Sequence, residues 1–146
     1  MDIINVFQDS IKKGKFEIYD VVEARRILEL SMVDIVIERI EQDDVAEMTS
    51  LVNQMDDNIE NGEKFAELDG IFHLRLMGCA KNELLLLFVG TLNNMVDKQV
   101  LKNDYDVRLN AQKEHKNILD AVFEKDMKKL KASLRDHLLC FKSLYF

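Results

Sequence analysis

Apolar residues recur along most of this chain with the three- and four-residue spacing of amphipathic helices, and no segment alternates convincingly between apolar and polar positions. The pattern predicts six helices. The first is predicted to begin at an Asp20 cap, with Glu23 completing a capping box. The others are predicted at about 44–60, 64–77, 82–102, 107–123 and from 126 nearly to the C-terminus. Because only short turns separate them, we expect an all-α fold, an antiparallel bundle of about six helices.

Turn and cap residues set the predicted boundaries between these helices. Asn61-Gly62 is a typical helix-ending signal and is predicted to terminate the second helix. Asn82 and Asp126 are predicted to cap the fourth and sixth helices. Residues 1–17 are interpreted as a lead-in or linker segment, and residues 18–146 as one domain.

The composition supports long helices and narrows the classes of function. There are no prolines and five glycines, so few residues would interrupt a helix. A net charge of −7 argues against DNA binding by these residues, because phosphate contacts need clustered Lys and Arg. The apolar run 84–89 is much shorter than the ~20 residues that span a bilayer, and we predict that it is buried. With no signal-peptide pattern at the N-terminus, a cytoplasmic location is expected.

Four polar residues stand on helical faces that are otherwise apolar. His73, His115 and His137, the three histidines of the chain, each interrupt an apolar stripe, and Asp69 lies one turn before His73. An i, i+4 pair projects from one helix face, so these side chains can meet inside a bundle. One carboxylate and three imidazoles suit a divalent transition metal. Four such ligands would complete a tetrahedral site, or they would leave positions open on an ion that prefers five or six ligands. The alternative to a metal site is a set of core histidines that are satisfied by hydrogen bonds.

Several segments resemble the FCD domain, the ligand-binding half of the FadR subfamily of GntR transcription regulators. Residues 23–29, EARRILE, are similar to the family's E-x-R-x-x-L-E opening, and residues 69–73, DGIFH, match D-x-x-F-H. Residues 79–82, CAKN, fall where the family has small residues followed by asparagine. Residues 114–122, EHKNILDAV, resemble E-H-x-x-I-L-x-A. The resemblance covers residues 18–146 and fills all four ligand positions of the family's metal-binding branch.

The resemblance implies a metal ion and a small carboxylate effector. Zinc is the expected ion at the four polar residues, with nickel, manganese or iron as alternatives. Arg25 matches the family's arginine and is predicted to contact the effector, and the alternative is a surface ion pair with Glu29. Asn82 is the other predicted ligand-binding residue, although helix capping would also explain it.

The resemblance also implies a homodimer that reaches DNA through an N-terminal winged helix-turn-helix domain. The segment 1–17 has no such reading head, so we interpret the chain as an excised domain. The leading hypothesis is therefore a sensor, which is not an enzyme. A metal-dependent hydrolase is one alternative, although no acidic residue besides Asp69 is predicted to face the core as its general base. A structural helical module is the other alternative.

Overall fold

Seven helices occupy the described residues between 17 and 145 of this computed structural model. They are α1 (Ile18–Arg39), α2 (Gln42–Asp57), α3 (Gly62–Gly78), α4 (Glu83–Met95), α5 (Gln99–Asn103), α6 (Tyr105–Glu124) and α7 (Met127–Tyr145). The structure describes residues 17–96 and 98–145, together with Asp2, Asn5, Val6, Asp9 and Ser10. Most of the predicted lead-in segment, and Phe146, therefore lie outside the described residues.

The helices form the predicted all-α bundle, with α3 at its centre. α3 packs against α1, α2, α4, α5 and α6, while α7 packs against α1 and α6. The pairs α2–α3, α3–α4 and α6–α7 are each joined by a short turn and pack side by side, as in antiparallel bundles. The central position of α3 determines where the polar residues of its inner face lie.

The apolar stripes predicted around those polar residues form the core. Phe65, Phe72 and Leu76 of α3 are fully buried, as are Ile118 of α6 and Leu134 of α7. Burying a large apolar side chain contributes about 1.5–3 kcal/mol, so these stripes are a major source of stability. The stripe of α3 faces α6, which brings the polar positions between its apolar residues into the interior.

Two predicted helix caps are confirmed. The side chain of Asn82 accepts a hydrogen bond from the amide of Leu85 at 3.0 Å at the start of α4. The side chain of Asp126 accepts one from the amide of Lys129 at 3.0 Å at the start of α7. In both cases the carboxamide or carboxylate oxygen satisfies a backbone donor that has no partner within the helix.

Two predicted boundaries near the first two helices are wrong. α1 begins at Ile18, so Asp20 lies within its first turn and does not cap it. Asn61 does not end α2, which stops at Asp57; its side chain instead caps α3 by accepting from the Lys64 amide at 3.1 Å. Asparagine is common both after the end of a helix and at the N-cap position. Here Asn61 is the N-cap, because the apolar stripe of α3 begins directly after it.

The predicted helix 82–102 is in fact two helices. The backbone is extended at Val96, with φ −80° and ψ 126°, so α4 ends at Met95 and α5 starts at Gln99. α6 then starts at Tyr105, where the side chain of Asp104 accepts from the amides of Asp106 and Val107. The break after α4 turns the chain back towards α3, and Lys98 lies at that turn.

The apolar run 84–89 is less buried than predicted. Val89 is buried, but Leu84, Leu87 and Phe88 are exposed. This run forms one face of α4, and only its inner residues reach α1 and α3. Across the described residues, no helix combines the length and the apolar character needed to cross a membrane.

The turn between α2 and α3 is held against α5 by a buried arginine. Arg108 donates to the carbonyl oxygens of Ile59 at 2.7 Å, Leu101 at 3.1 Å and Lys102 at 2.8 Å. Gly62 lies in the same contact, where a Cβ atom would come within 1.8 Å of the Lys102 oxygen. Only glycine lets the start of α3 approach α5 this closely.

Gly62→Ala is expected to lower the free energy of unfolding by about 1–3 kcal/mol, the usual cost of overpacking against atoms that cannot move freely. Gly90→Ala is the matched control, since its Cβ would meet Leu74 Cδ2 at an ordinary 3.4 Å. Alanine in a helix interior is favoured over glycine by about 0.5–1 kcal/mol, so this control should be neutral or stabilising. Urea unfolding followed by circular dichroism measures both, and equal effects would contradict the argument.

Candidate metal centre

The four polar residues singled out in the sequence meet in the interior of the bundle. Asp69 and His73 come from α3, His115 from α6 and His137 from α7, and all four are fully buried. One potential ligand atom from each lies within 4.8 Å of those of the others. The i, i+4 spacing on α3 places its two residues on the face that packs towards α6.

One oxygen of Asp69 and three imidazole nitrogens converge on one point. Asp69 Oδ1 is 2.8 Å from His115 Nε2, 3.6 Å from His73 Nε2 and 3.9 Å from His137 Nε2. His73 Nε2 and His137 Nε2 are themselves 2.9 Å apart. The same ring nitrogen of each histidine therefore faces the centre.

The other nitrogen of each imidazole faces an oxygen atom on the outside of the cluster. An acceptor at Nδ1 keeps the hydrogen there and leaves the Nε2 lone pair directed inward, which is the arrangement found around metal-ligating histidines. The contacts are His73 Nδ1 to Glu29 Oε1 at 3.4 Å, His115 Nδ1 to Gln112 Oε1 at 3.1 Å and His137 Nδ1 to Glu114 Oε1 at 2.9 Å.

The hydrogen-bond pattern of Gln112 fixes the orientation of His115. Its amide nitrogen donates to the carbonyl oxygen of Val52 at 2.8 Å and to Asp56 Oδ1 at 2.9 Å. The amide oxygen is therefore the atom that faces His115 Nδ1, and an oxygen can only accept. His115 thus donates from Nδ1 to Gln112, and its Nε2 is the ring atom that faces Asp69 Oδ1.

Burial keeps two of the imidazoles uncharged. It lowers the pKa of His115 to about 4 and that of His137 to about 3, so both are neutral at neutral pH and available as ligands. Burial and Arg25 act in the same direction on His73, but the carboxylates of Asp69 and Glu29 outweigh them and raise its pKa.

The second oxygen of Asp69 faces a lysine. Lys98 Nζ lies 3.2 Å from Asp69 Oδ2, on the side away from the imidazoles. Burial acts to raise the pKa of Asp69, but the positive charge of Lys98 and the contacts with His73 and His115 hold it well below its usual range. The carboxylate is therefore ionised, as a metal ligand must be.

Arg25 and Glu29 form an ion pair inside the bundle. Arg25 Nε lies 3.1 Å from Glu29 Oε2, and the two side chains are only 2% and 0% exposed. The pair predicted as the alternative for Arg25 therefore exists, but it is not on the surface. Burial opposes ionisation of Glu29, yet Arg25 and His73 lower its pKa below the ordinary value.

The buried position of Glu29 corrects one expectation from the sequence. Besides Asp69, no acidic residue was expected to face the core, because Glu is rarely buried without a partner. Its partner is Arg25, one turn away on the same helix. Glu29 approaches the cluster from the Nδ1 side of His73, not from the Nε2 side.

Asn82 is not part of this cluster. It is exposed at the start of α4, and its side-chain oxygen is occupied by the Leu85 amide. Its predicted contact with an effector stays a prediction. Arg25, in contrast, is joined to the cluster through Glu29 and His73.

The sequence analysis did not assign four residues to this site, namely Glu29, Gln112, Glu114 and Lys98. The sequence patterns that could have identified them differ. Glu29 stands one turn from Arg25, and Gln112 stands three residues before His115 on the same face, so helical spacing identifies both. Glu114 is the first residue of the segment that resembles E-H-x-x-I-L-x-A, whereas Lys98 gave no signal. Glu114 reaches a histidine on the following helix, and Lys98 depends on the break after α4.

The model of the FCD domain family matches residues 20–139. A Micromonospora viridifaciens protein named "Putative transcriptional regulatory protein NedR" is 28% identical over 94 residues, which cover 63% of this chain and 68% of that protein.

Solved structures of similar fold come from three bacterial sources. They are Streptococcus agalactiae GntR (TM-score 0.73, 22% identity, 86% of this chain and 58% of that one), E. coli McbR/YncC (0.73, 17%, 86% and 65%) and a GntR family regulator from Pseudomonas syringae (0.69, 20%, 87% and 54%). At these identities the likeness shows a shared fold, and the chain spans less than two thirds of each of these structures. The family match, which spans most of the chain, shows that the chain belongs to the FCD domain family, the effector-binding domain of GntR-type regulators.

Proposed function

We propose that this domain senses a small organic acid through a divalent metal ion held by Asp69, His73, His115 and His137. The observation that carries the proposal is the common orientation of the cluster. Three Nε2 atoms and one carboxylate oxygen face one point inside the bundle, while every Nδ1 atom faces an oxygen outside it. Histidines that merely filled the core would not need the same ring nitrogen to face inward.

The donor set fits a borderline transition metal. Imidazole nitrogens and a carboxylate are ligands of zinc, nickel, manganese and iron, and of these we propose zinc first. With three neutral imidazoles and one carboxylate, a divalent ion leaves about one net positive charge at the centre. The ion would supply an attachment point for an anion, and burial would strengthen the attraction.

Arg25 is the residue that we propose to recognise the acid next to the ion. A guanidinium presents paired N–H donors in a plane that matches a carboxylate. Glu29 Oε2 lies 3.1 Å from Arg25 Nε and holds the guanidinium inside the bundle. Glu29 lies between Arg25 and His73, so an acid that shifts Arg25 would also change the position of His73, a proposed metal ligand.

In the complete regulator, we propose that two copies of this domain dimerise and control an attached winged helix-turn-helix domain that binds DNA in the cytoplasm. The chain's relatives of similar fold include GntR-family regulators. Paired DNA half-sites require paired readers, which favours a homodimer. An acid that binds one arrangement of the bundle better than another would shift the position of the reader.

Binding without turnover is favoured over hydrolysis by the position of Glu29. A general base must reach a metal-bound water, which would lie on the Nε2 side of the imidazoles. Glu29 contacts the Nδ1 side of His73 and is paired with Arg25. Turnover of an ester or amide by the metal-loaded protein would contradict the sensor proposal.

The purified wild-type protein is expected to bind about one equivalent of zinc, and His115→Ala to bind almost none. Free zinc at 100 times its dissociation constant stabilises the folded state by about 2.7 kcal/mol, which is roughly 5–10 °C in melting temperature for a domain of this size. Elemental analysis and thermal melts with and without chelator measure both quantities. Each variant is compared with its own metal-free form, so a loss of core packing in His115→Ala does not obscure the result. Less than half an equivalent in the wild type would overturn the metal proposal.

Glu114→Ala is expected to weaken zinc binding by about 10–100-fold, because outer partners orient metal-ligating histidines. Burial raises the pKa of Glu114 to about 7, and its ionised form accepts the His137 Nδ1 hydrogen. Glu114→Gln keeps an acceptor oxygen and should restore most of the affinity. Glu124→Ala, on the same helix but exposed and paired with Lys129, is the control and should change nothing. Competition with a chromogenic chelator gives the affinities; a weak Glu114→Gln variant would instead indicate that charge matters.

Acetate is expected to bind the zinc-loaded protein and to lose most of its affinity when zinc is removed. Arg25→Lys keeps the charge opposite the buried Glu29 but loses the planar pair of donors, and it should weaken acetate about tenfold, near the lower limit for a lost charge-assisted contact. Arg26→Lys is the matched control, since its side chain is half-buried on the neighbouring position. Calorimetry measures the affinities. Equal binding to metal-free protein, or a loss confined to Arg26→Lys, would refute the assignment.

A further inference from the structure

A cleft of about 710 Å³ is lined by Lys98, the residue whose ammonium contacts Asp69. It lies between α3 and the C-terminal end of α4, and α5 closes one end. Its lining includes Gly70, Asn93, Asn94, Lys98 and Lys102. None of these residues belongs to the four that form the metal centre.

Lys98 connects this cleft with the metal centre. Its side chain is 14% exposed and lines the cleft, and its ammonium is 3.2 Å from Asp69 Oδ2. Asp69 Oδ1 is turned towards His115 at 2.8 Å. One carboxylate thus separates a cationic group in the cleft from the point on which the imidazoles converge.

Asn93 gives an independent sign of a ligand in the cleft. Its side chain is only 3% exposed, yet its Oδ1 atom has no hydrogen-bond partner among the described residues. A buried acceptor without a donor costs about 1–3 kcal/mol. Asn93 lines the cleft, so a hydroxyl or N–H group of a bound molecule would satisfy it.

Gly70 allows both side chains to lie against α3 next to Asp69. A Cβ atom at this position would be 3.0 Å from Lys98 Nζ and 3.6 Å from Asn93 Nδ2. The first distance is shorter than ordinary van der Waals contact, so a side chain at this position would displace the ammonium by a few tenths of an ångström.

We infer that Lys98 and Asn93 form a second subsite, which takes the distal carboxylate and a hydroxyl group of a short hydroxy-dicarboxylic acid. This inference rests on the proposed function, because the other carboxylate would dock at the metal ion. A divalent ion shares the negative charge of Asp69, and the ammonium of Lys98 then has positive charge in excess. A second carboxylate in the cleft balances that charge.

The other lysines of the cleft are less suited to this contact. Lys102 pairs with Glu63 at 3.8 Å, and Lys64 pairs with Glu67 at 3.6 Å. Both side chains are more exposed than that of Lys98, so water screens their charge. Lys102 is therefore a matched control: it lines the same cleft without touching Asp69.

The test compares acetate, succinate and malate on the zinc-loaded protein by calorimetry. Wild type is expected to bind succinate at least about tenfold more tightly than acetate, and malate more tightly still. Lys98→Met should reduce the preference for succinate and malate over acetate by about 10–100-fold, the loss of one charge-assisted contact. Asn93→Leu should remove only the preference for malate over succinate. Lys102→Met should leave all three affinities within about threefold.

A second variant guards against a folding defect in Lys98→Met. Gly70→Ala keeps both polar residues and displaces the ammonium, so it should weaken succinate relative to acetate. Melting curves and zinc affinity of each variant report the fold and the metal centre. All acids are compared at saturating zinc for each variant, so a change in zinc affinity in Lys98→Met, which removes a contact of Asp69, does not obscure the comparison.

Four outcomes separate the alternatives. If succinate binds no better than acetate to wild type, the second subsite is absent, while the metal and acid sensor stands. If Lys98→Met weakens acetate as much as succinate, Lys98 acts on the metal centre alone and the inference is wrong. If Lys102→Met loses as much affinity for succinate and malate as Lys98→Met, the cleft attracts anions through its overall positive charge, and the inference is wrong. If wild type binds neither zinc nor acetate, the proposed function itself fails and the inference with it.

Discussion

The ionised carboxylate of Asp69, fully buried at the centre of the bundle, is the constraint that the surrounding structure must satisfy. Removing such a group from water costs several kcal/mol unless neighbours compensate for it. Lys98 contacts one oxygen and His115 the other, with His73 and His137 close by. These partners come from α3, α6, α7 and the turn before α5. The requirement to surround one charge therefore fixes how these elements are placed relative to one another, and apolar packing fills the space between them.

The outer partners extend this constraint to the remaining helices. Glu29 joins His73 to Arg25 on α1, and Gln112 joins His115 to the backbone of Val52 on α2. If His115 moved to accommodate an ion or an acid, Gln112 would have to move as well, because their hydrogen bond would otherwise be lost in a buried place. Through this network, a ligand at the cluster would change the positions of the helices. Such a change would act as a signal if the ligand bound one of two helix arrangements more tightly than the other.

The sequence predicted the bundle and the four central residues because both depend on local periodicity. Asp69 and His73 share a helix face, and each histidine stands within an apolar stripe, so burial follows from spacing alone. The face of α1 was harder to identify. Its buried residues include Arg25 and Glu29, while Ala24 and Ile27 on other sides are exposed, so apolar positions alone do not mark the inner face. Lys98 and Glu114 depend on how helices are arranged in space, which periodicity cannot report. The predicted helix end at Asn61 and the predicted continuous helix 82–102 were wrong for a similar reason, because the packing of α3 and α5 determines where these helices begin and end.

The two contacts of Asp69 also bear on whether the ion would be structural or would sense a ligand. Structural zinc sites are closed by four protein ligands, whereas sites that bind a further molecule keep a position open. Since Lys98 occupies Oδ2, Asp69 offers Oδ1 alone, and with three Nε2 atoms the protein supplies four donors. Nickel, manganese and iron accept five or six ligands, and zinc expands to five. An acid could therefore add to the proposed centre without displacing a histidine. In that site Lys98 would have two connected effects: it would limit Asp69 to one contact with the ion, and it would place a positive charge near the free end of such an acid.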